Sequence, residues 1–138
     1  MGRKRARDEF FKVMFEADMK NESIYAVAQN YVKREELEMD GEEEEFIISY
    51  AKKMEDYKSE IESVIESSMK GWKLDRIGVI ERVLLKFATF ELIKEKERVG
   101  YNIVVNEAIE IAKKYGDEKT HEFINGVLAN IIKEQGIE

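Results

Sequence analysis

The stretch Ile77-Gly78-Val79-Ile80-Glu81-Arg82-Val83-Leu84-Leu85-Lys86-Phe87-Ala88-Thr89-Phe90-Glu91-Leu92-Ile93-Lys94 decides the fold. Its apolar residues leave almost no polar side when wound on a 3.6-residue period. A helix that is apolar nearly all round is the buried centre of its fold. Glu81, Arg82, Lys86 and Glu91 are the few charges before its closing Lys94, so they mark exposed edges or meet specific partners. Asp75 is placed to cap this helix, with Leu74 packed behind it.

Amphipathic helices flank this segment on both sides. Downstream, Asn102 is placed to cap a helix reaching Tyr115, with Val104, Val105, Ala108, Ile109 and Ala112 on its apolar side. Gly116 offers a left-handed stop. Asp117 or Thr120 then caps a last helix carrying Phe123, Ile124, Val127, Leu128, Ile131 and Ile132. Gly126 inside it costs about 1 kcal/mol relative to alanine, which predicts close approach of another helix. Upstream, residues 5–18 read as a helix with Ala6, Phe10, Val13, Met14 and Ala17 on one face and Phe11 and Phe15 on an adjacent stripe. Ser23 is placed to cap a helix over about 24–36, and Asp40 the next one. The run Glu42 to Glu45 then lies in a first turn, where the helix dipole favours anions. From Phe46 to Met69 the spacing fits one helix of about 40 Å, or two with a break near residues 56–59. No strand-type alternation persists. The fold class is all-α, with about six or seven helices.

The 138 residues suit one domain or two small subdomains sharing a core. With 43% hydrophobic residues there is material for a core. No apolar run approaches the ~20 residues of a membrane span, and no signal-peptide pattern opens the chain, so a cytoplasmic protein is expected. There is no cysteine and a single histidine, which excludes disulfides, thiolate chemistry and multi-histidine metal sites. No glycine-rich phosphate loop is present. Glu107 and Glu110, one helical turn apart, are what acidic helices produce routinely. Neither catalysis, a metal nor a cofactor is expected.

The net charge of −7 is unevenly placed. Arg3, Lys4, Arg5 and Arg7 put four cations in the first seven residues, and the remainder carries 19 basic against 30 acidic residues, a balance of −11. Cations at a helix N-terminus oppose the dipole and repel one another. Two readings stand: a frayed basic tail, or an arm that binds phosphate with the helix-terminal amides. Phe123 is a candidate stacking platform beside Lys119, or a core residue. Tyr25, Trp72 and Tyr101 read as packing residues with a polar tip.

Three segments resemble the NusB family of transcription antitermination factors. They are Arg3-Lys4-Arg5-Ala6-Arg7 with the Phe10 to Phe15 stripe, Trp72 to Ile77 leading into Glu81 to Leu92, and Val105 to Gly116 continuing to Phe123-Ile124-Asn125-Gly126-Val127-Leu128. The likeness runs from residue 3 to about 132. It implies a single non-enzymatic RNA-binding domain over 1–138, built from two packed helical subdomains, about 1–70 and 71–138. It implies binding of boxA-type single-stranded RNA together with NusE, a small-subunit ribosomal protein, to seed an antitermination complex on RNA polymerase and support ribosomal RNA transcription. Members occur as monomers or dimers, so a homodimer is a further partner. Carried over by position, Arg3, Lys4, Arg5, Arg7, Lys119 and Phe123 would contact RNA. Glu81 and Phe15 would face NusE, Phe15 standing in place of a family tyrosine and lacking its hydroxyl. Gly100 stands where many members have proline. NusB-like modules also occur attached to ribosomal RNA methyltransferases; no cofactor-binding domain follows residue 138, so methyl transfer is not expected. The competing reading is an acidic helical protein–protein adaptor without direct RNA binding.

Overall fold

The computed structural model describes residues 3–138, the side chain of Arg3 excepted. Among the described residues there are seven α-helices and no strand: α1 (Arg3–Lys20), α2 (Ile24–Tyr31), α3 (Gly41–Asp56), α4 (Lys58–Ser68), α5 (Val79–Lys94), α6 (Tyr101–Tyr115) and α7 (Glu118–Glu134). Short 3-10 turns occupy Glu35–Leu37 and Leu74–Arg76. None of these helices is long and apolar enough to cross a membrane. The chain divides into two compact units, one ending at Lys58 and the other spanning Ser59–Glu138.

In the first unit α1, α2 and α3 pack pairwise. Phe10, Val13 and Met14 of α1, Val27 and Ala28 of α2, and Ile47, Tyr50 and Met54 of α3 are buried. Phe10 meets Phe46 and Tyr50 edge-on, with ring centroids 6.5 and 5.8 Å away. Such T-shaped pairs add to simple burial because ring edges and faces carry opposite partial charge. Ser23 caps α2 through its side chain, as its position predicts. Asp40 caps α3, and Glu43 reaches back to the Asp40 N–H at 3.1 Å to complete a capping box.

In the second unit α5, α6 and α7 pack pairwise. Nine residues of α5 are buried, from Val83 to Leu92 with only Lys86 omitted. Its cations each have a specific partner. Lys86 pairs with Glu62 of α4 at 3.5 Å, and Lys94 pairs with Glu60 at 2.9 Å. Arg82 donates to the carbonyls of Leu74 and Ile77 at 3.3 and 2.9 Å.

The segment after Phe46 takes the second of its two readings, two helices with a break within residues 56–59: α3 ends at Asp56, and Tyr57 leaves helical geometry at φ −106°, ψ 18°. Several other local expectations are corrected. The α2 helix ends at Tyr31 rather than near 36, and a 3-10 turn follows. Gly78, not Asp75, precedes α5, because Leu74–Arg76 forms its own turn held by the Arg82 guanidinium. Gly100, not Asn102, precedes α6. Gly116 is not left-handed, having φ −109°. Gly126 has no close neighbour: a Cβ built there meets nothing within 4 Å.

That last finding yields a stability prediction. Gly126 sits in helix interior with open space beside it, so Gly126→Ala removes an entropic cost without a clash. The variant should be more stable by about 0.5–1 kcal/mol. Denaturant or thermal unfolding checks this, and a lower midpoint would contradict it.

Candidate nucleic-acid interface

The first α1 turn carries cations and no acid. Its residues are sorted by the helical period. Ala6, Phe10 and Val13 face inward, and Arg7 lies three and four residues before Phe10 and Phe11, on the same inner side. Arg7 is accordingly 3% exposed. Lys4 and Arg5 are exposed. The Arg3 side chain lies outside the described residues.

Arg5 is held in place while 40% of its side chain remains exposed. One guanidinium nitrogen lies 3.4 Å from Glu43 Oε1, and the other donates to the Leu37 carbonyl. Glu43 is 3% exposed, so it presents a fixed carboxylate at the start of α3. A guanidinium carries five donors, and two contacts leave an outer edge for another anion. The arm is thus tethered rather than frayed. Arg7 supports its base from inside, and Lys4 and Arg5 are the described cations that reach water there.

Further along α1, Phe15 is half-buried and tilts against Phe11 at 6.1 Å. Tyr31 donates to Glu9 Oε1 at 2.5 Å, tying α2 to α1. Burial first, and the Glu9 carboxylate second, push the Tyr31 phenol well above its usual range. Arg34 lies 4.4 Å over the Tyr31 ring and bonds Glu16 at 3.0 Å. Burial raises the Glu16 carboxyl, but its bonds to Lys20 and Arg34 outweigh that and hold it below the usual value.

In the second unit the site forms around the start of α7. Asp117 caps the helix, its carboxylate accepting from the Thr120 N–H at 3.0 Å while the Thr120 hydroxyl accepts from the Asp117 N–H at 3.2 Å. The same hydroxyl faces two carboxylates, Asp117 Oδ1 at 3.1 Å and Glu81 Oε2 at 3.2 Å. It has one proton and donates to one of them at a time. Glu81 is therefore drawn to the first turn of α7 from the first turn of α5. Lys119 points outward and is exposed; Phe123, four residues on, is half-buried at the edge of the Ile124–Val127 stripe. The two share one side of α7. His121 is half-buried on the same turn.

The structure thus groups Lys4 with Arg5 in the first unit, and Glu81, Lys119 and Phe123 around one helix start in the second. Two features escape the sequence reading. The tether through Glu43 joins residues 38 apart. Trp72, expected to pack, is 58% exposed. Among the described residues no group of three or more His, Asp or Glu side chains is placed to hold a metal ion, and Glu107 and Glu110 form no such group.

The family model described as NusB family matches residues 4–133. The transcription antitermination protein NusB of Bacillus mycoides (strain KBAB4) is 38% identical over 131 residues, covering 95% of this chain and 97% of that protein. The solved structure of T. maritima NusB superposes with a TM-score of 0.86 at 32% identity, covering 97% of this chain and 92% of that one. The antitermination factors NusB and NusE have been solved in complex with double-stranded RNA. A chain of that complex superposes with a TM-score of 0.83 at 31% identity, covering 97% of this chain and 99% of its own.

The cap at α7 makes a pH prediction. The Thr120 backbone bond, then the Thr120 hydroxyl, holds the Asp117 carboxyl below its usual value. A depressed folded-state pKa gives stability that is complete above the unfolded-state value and lost as pH falls through the folded value. Thr120→Val removes the hydroxyl but keeps the backbone donor. The Asp117 midpoint, followed by carboxyl NMR titration, should rise part of the way to an ordinary aspartate. An unmoved midpoint would show that the hydroxyl does not stabilise the carboxylate.

Proposed function

The chain belongs to the NusB family, and from that premise we propose that it is a transcription antitermination protein that binds boxA-type single-stranded RNA together with NusE. Bound to both, it helps assemble the complex on RNA polymerase that carries transcription through terminators, and it supports ribosomal RNA transcription. It works in the cytoplasm by contact, without catalysing a reaction.

The observation that supports this most is the tethered arm. Lys4 and the outer edge of Arg5 stand exposed at a helix start that has no acid in its first turn. Helix-terminal N–H groups and cations attract phosphate together. Arg7 acts one step back, by holding the arm's base. On the α7 edge, Lys119 offers a charge and Phe123 a ring face to an unpaired base. The acidic remainder of the chain repels RNA, so binding by this chain alone should be weak. NusE, engaged by Phe15 and Glu81, adds a second attachment that raises the effective concentration of RNA at the arm. Glu81 already shares the Thr120 hydroxyl, so a cation from NusE would meet a carboxylate fixed in position.

A titration with labelled boxA-type RNA across a salt series, with and without NusE, tests the reading. For a single strand, each phosphate neutralised contributes about −0.7 to the slope of log K against log salt. Replacing Lys4 and Arg5 by alanine should weaken binding and flatten the slope by roughly 1.4. Arg7→Ala should chiefly lower the unfolding midpoint, because it removes a buried group. A duplex of the same sequence serves as control, and tighter binding to the duplex would overturn the single-strand preference. A slope untouched by the double substitution would take the arm out of the RNA site.

A further inference from the structure

Trp72 is the chain's one tryptophan, and its 58% exposure is out of keeping with its chemistry. An indole is among the largest apolar surfaces a side chain can bury. Lys70 and Gly71 adopt φ of +31° and +90°, turning the chain between α4 and the 3-10 turn. A non-glycine residue in that region is uncommon and held only by its surroundings. Those surroundings are Met69 and Leu74, both buried, and Glu66, whose carboxylate accepts from the Leu74 N–H at 3.0 Å. Trp72 is carried between two apolar anchors and is itself left in water.

Lys70, Lys73 and Arg76 surround it in sequence, and all three are exposed. Among the described residues none of the three enters an ion pair, although Lys12, Lys20, Lys52, Lys86 and Lys94 all do. In a chain with net charge −7, acids are plentiful enough to pair with them. Asp75 is the one anion within residues 69–77. An exposed ring flanked in sequence by exposed, unpaired cations suits unpaired bases on its face and their phosphates beside it.

We propose that the Lys70–Arg76 turn is an additional contact for single-stranded RNA, with Trp72 stacking on one unpaired base and Lys70, Lys73 and Arg76 taking the flanking phosphates. This rests on the RNA-binding reading above and extends it to residues that neither the arm nor the α7 edge includes. A single strand is required, because bases inside a duplex do not present their faces.

The sole tryptophan reports on its own occupancy. Full-length protein is titrated with a boxA-type single-stranded oligoribonucleotide. Intrinsic emission and the anisotropy of a label on the RNA are followed in parallel, with NusE absent and then present, its own emission subtracted. Emission should be quenched with the same midpoint as the anisotropy change. By anisotropy, Trp72→Ala should weaken binding about tenfold and Trp72→Phe less, with helical circular dichroism unchanged. Alanine at Lys70, Lys73 and Arg76 should flatten the salt slope by up to about 2. If anisotropy reports binding while emission and the Trp72→Ala affinity stay unchanged, the turn is not an RNA contact and the function stands. If NusE alone shifts the emission and RNA adds nothing, the turn docks the protein partner and the inference is overturned. If no RNA binds in either arm, the functional reading falls and this one with it.

Discussion

A helix without a wet side constrains everything around it. Val83 to Leu92 of α5 are buried apart from Lys86, and an apolar helix of that kind is stable only when other elements cover it. α6 and α7 supply two apolar stripes, and α4 supplies the carboxylates that Lys86 and Lys94 need. Arg82 closes the turn before α5 by taking two carbonyls. With these residues committed to structure, Lys119 at the start of α7 and Trp72 in its turn remain exposed.

The first unit shows the same division of labour on one short arm. Of the basic residues at its start, Arg7 is inside, Arg5 is clamped at one edge, and Lys4 is in water. A helix alternates inner and outer positions over three or four residues, so a cluster of like charges cannot all serve the same purpose. Glu43 links the α3 cap to the arm: the same carboxylate completes the cap and orients Arg5. Thr120 does the equivalent at α7, where the capping hydroxyl also reaches Glu81.

Much of this was legible from the residues. The all-helical class, the buried centre at α5, the Asp40 and Ser23 caps, and the amphipathic stripes of α1 and α7 follow from local spacing, while the choice of Asp117 over Thr120 as the α7 cap was left to the structure. The burial of Arg7 was not read from the sequence, which grouped it with the other cations of the arm by charge alone. Cap positions near glycine were less legible: Gly78 and Gly100 displaced Asp75 and Asn102. Before α5, Leu74–Arg76 forms a separate 3-10 turn, and Arg82 takes the carbonyls of Leu74 and of Ile77 just after it, which sets Asp75 apart from the helix start.

By itself the sequence determined which segments are helical and which faces turn inward, because hydrophobic period and capping act over three to four residues. It also determined the local clustering of cations at the start of the chain. Tertiary structure alone decided which of those cations are buried, clamped or left in water, since the partners of Arg5 lie 38 and 32 residues away. It also decided the bond from Thr120 to Glu81, across 39 residues, and the exposure of Trp72. Contacts between residues distant in the chain form only when packing brings their helices together, and no local pattern records that distance.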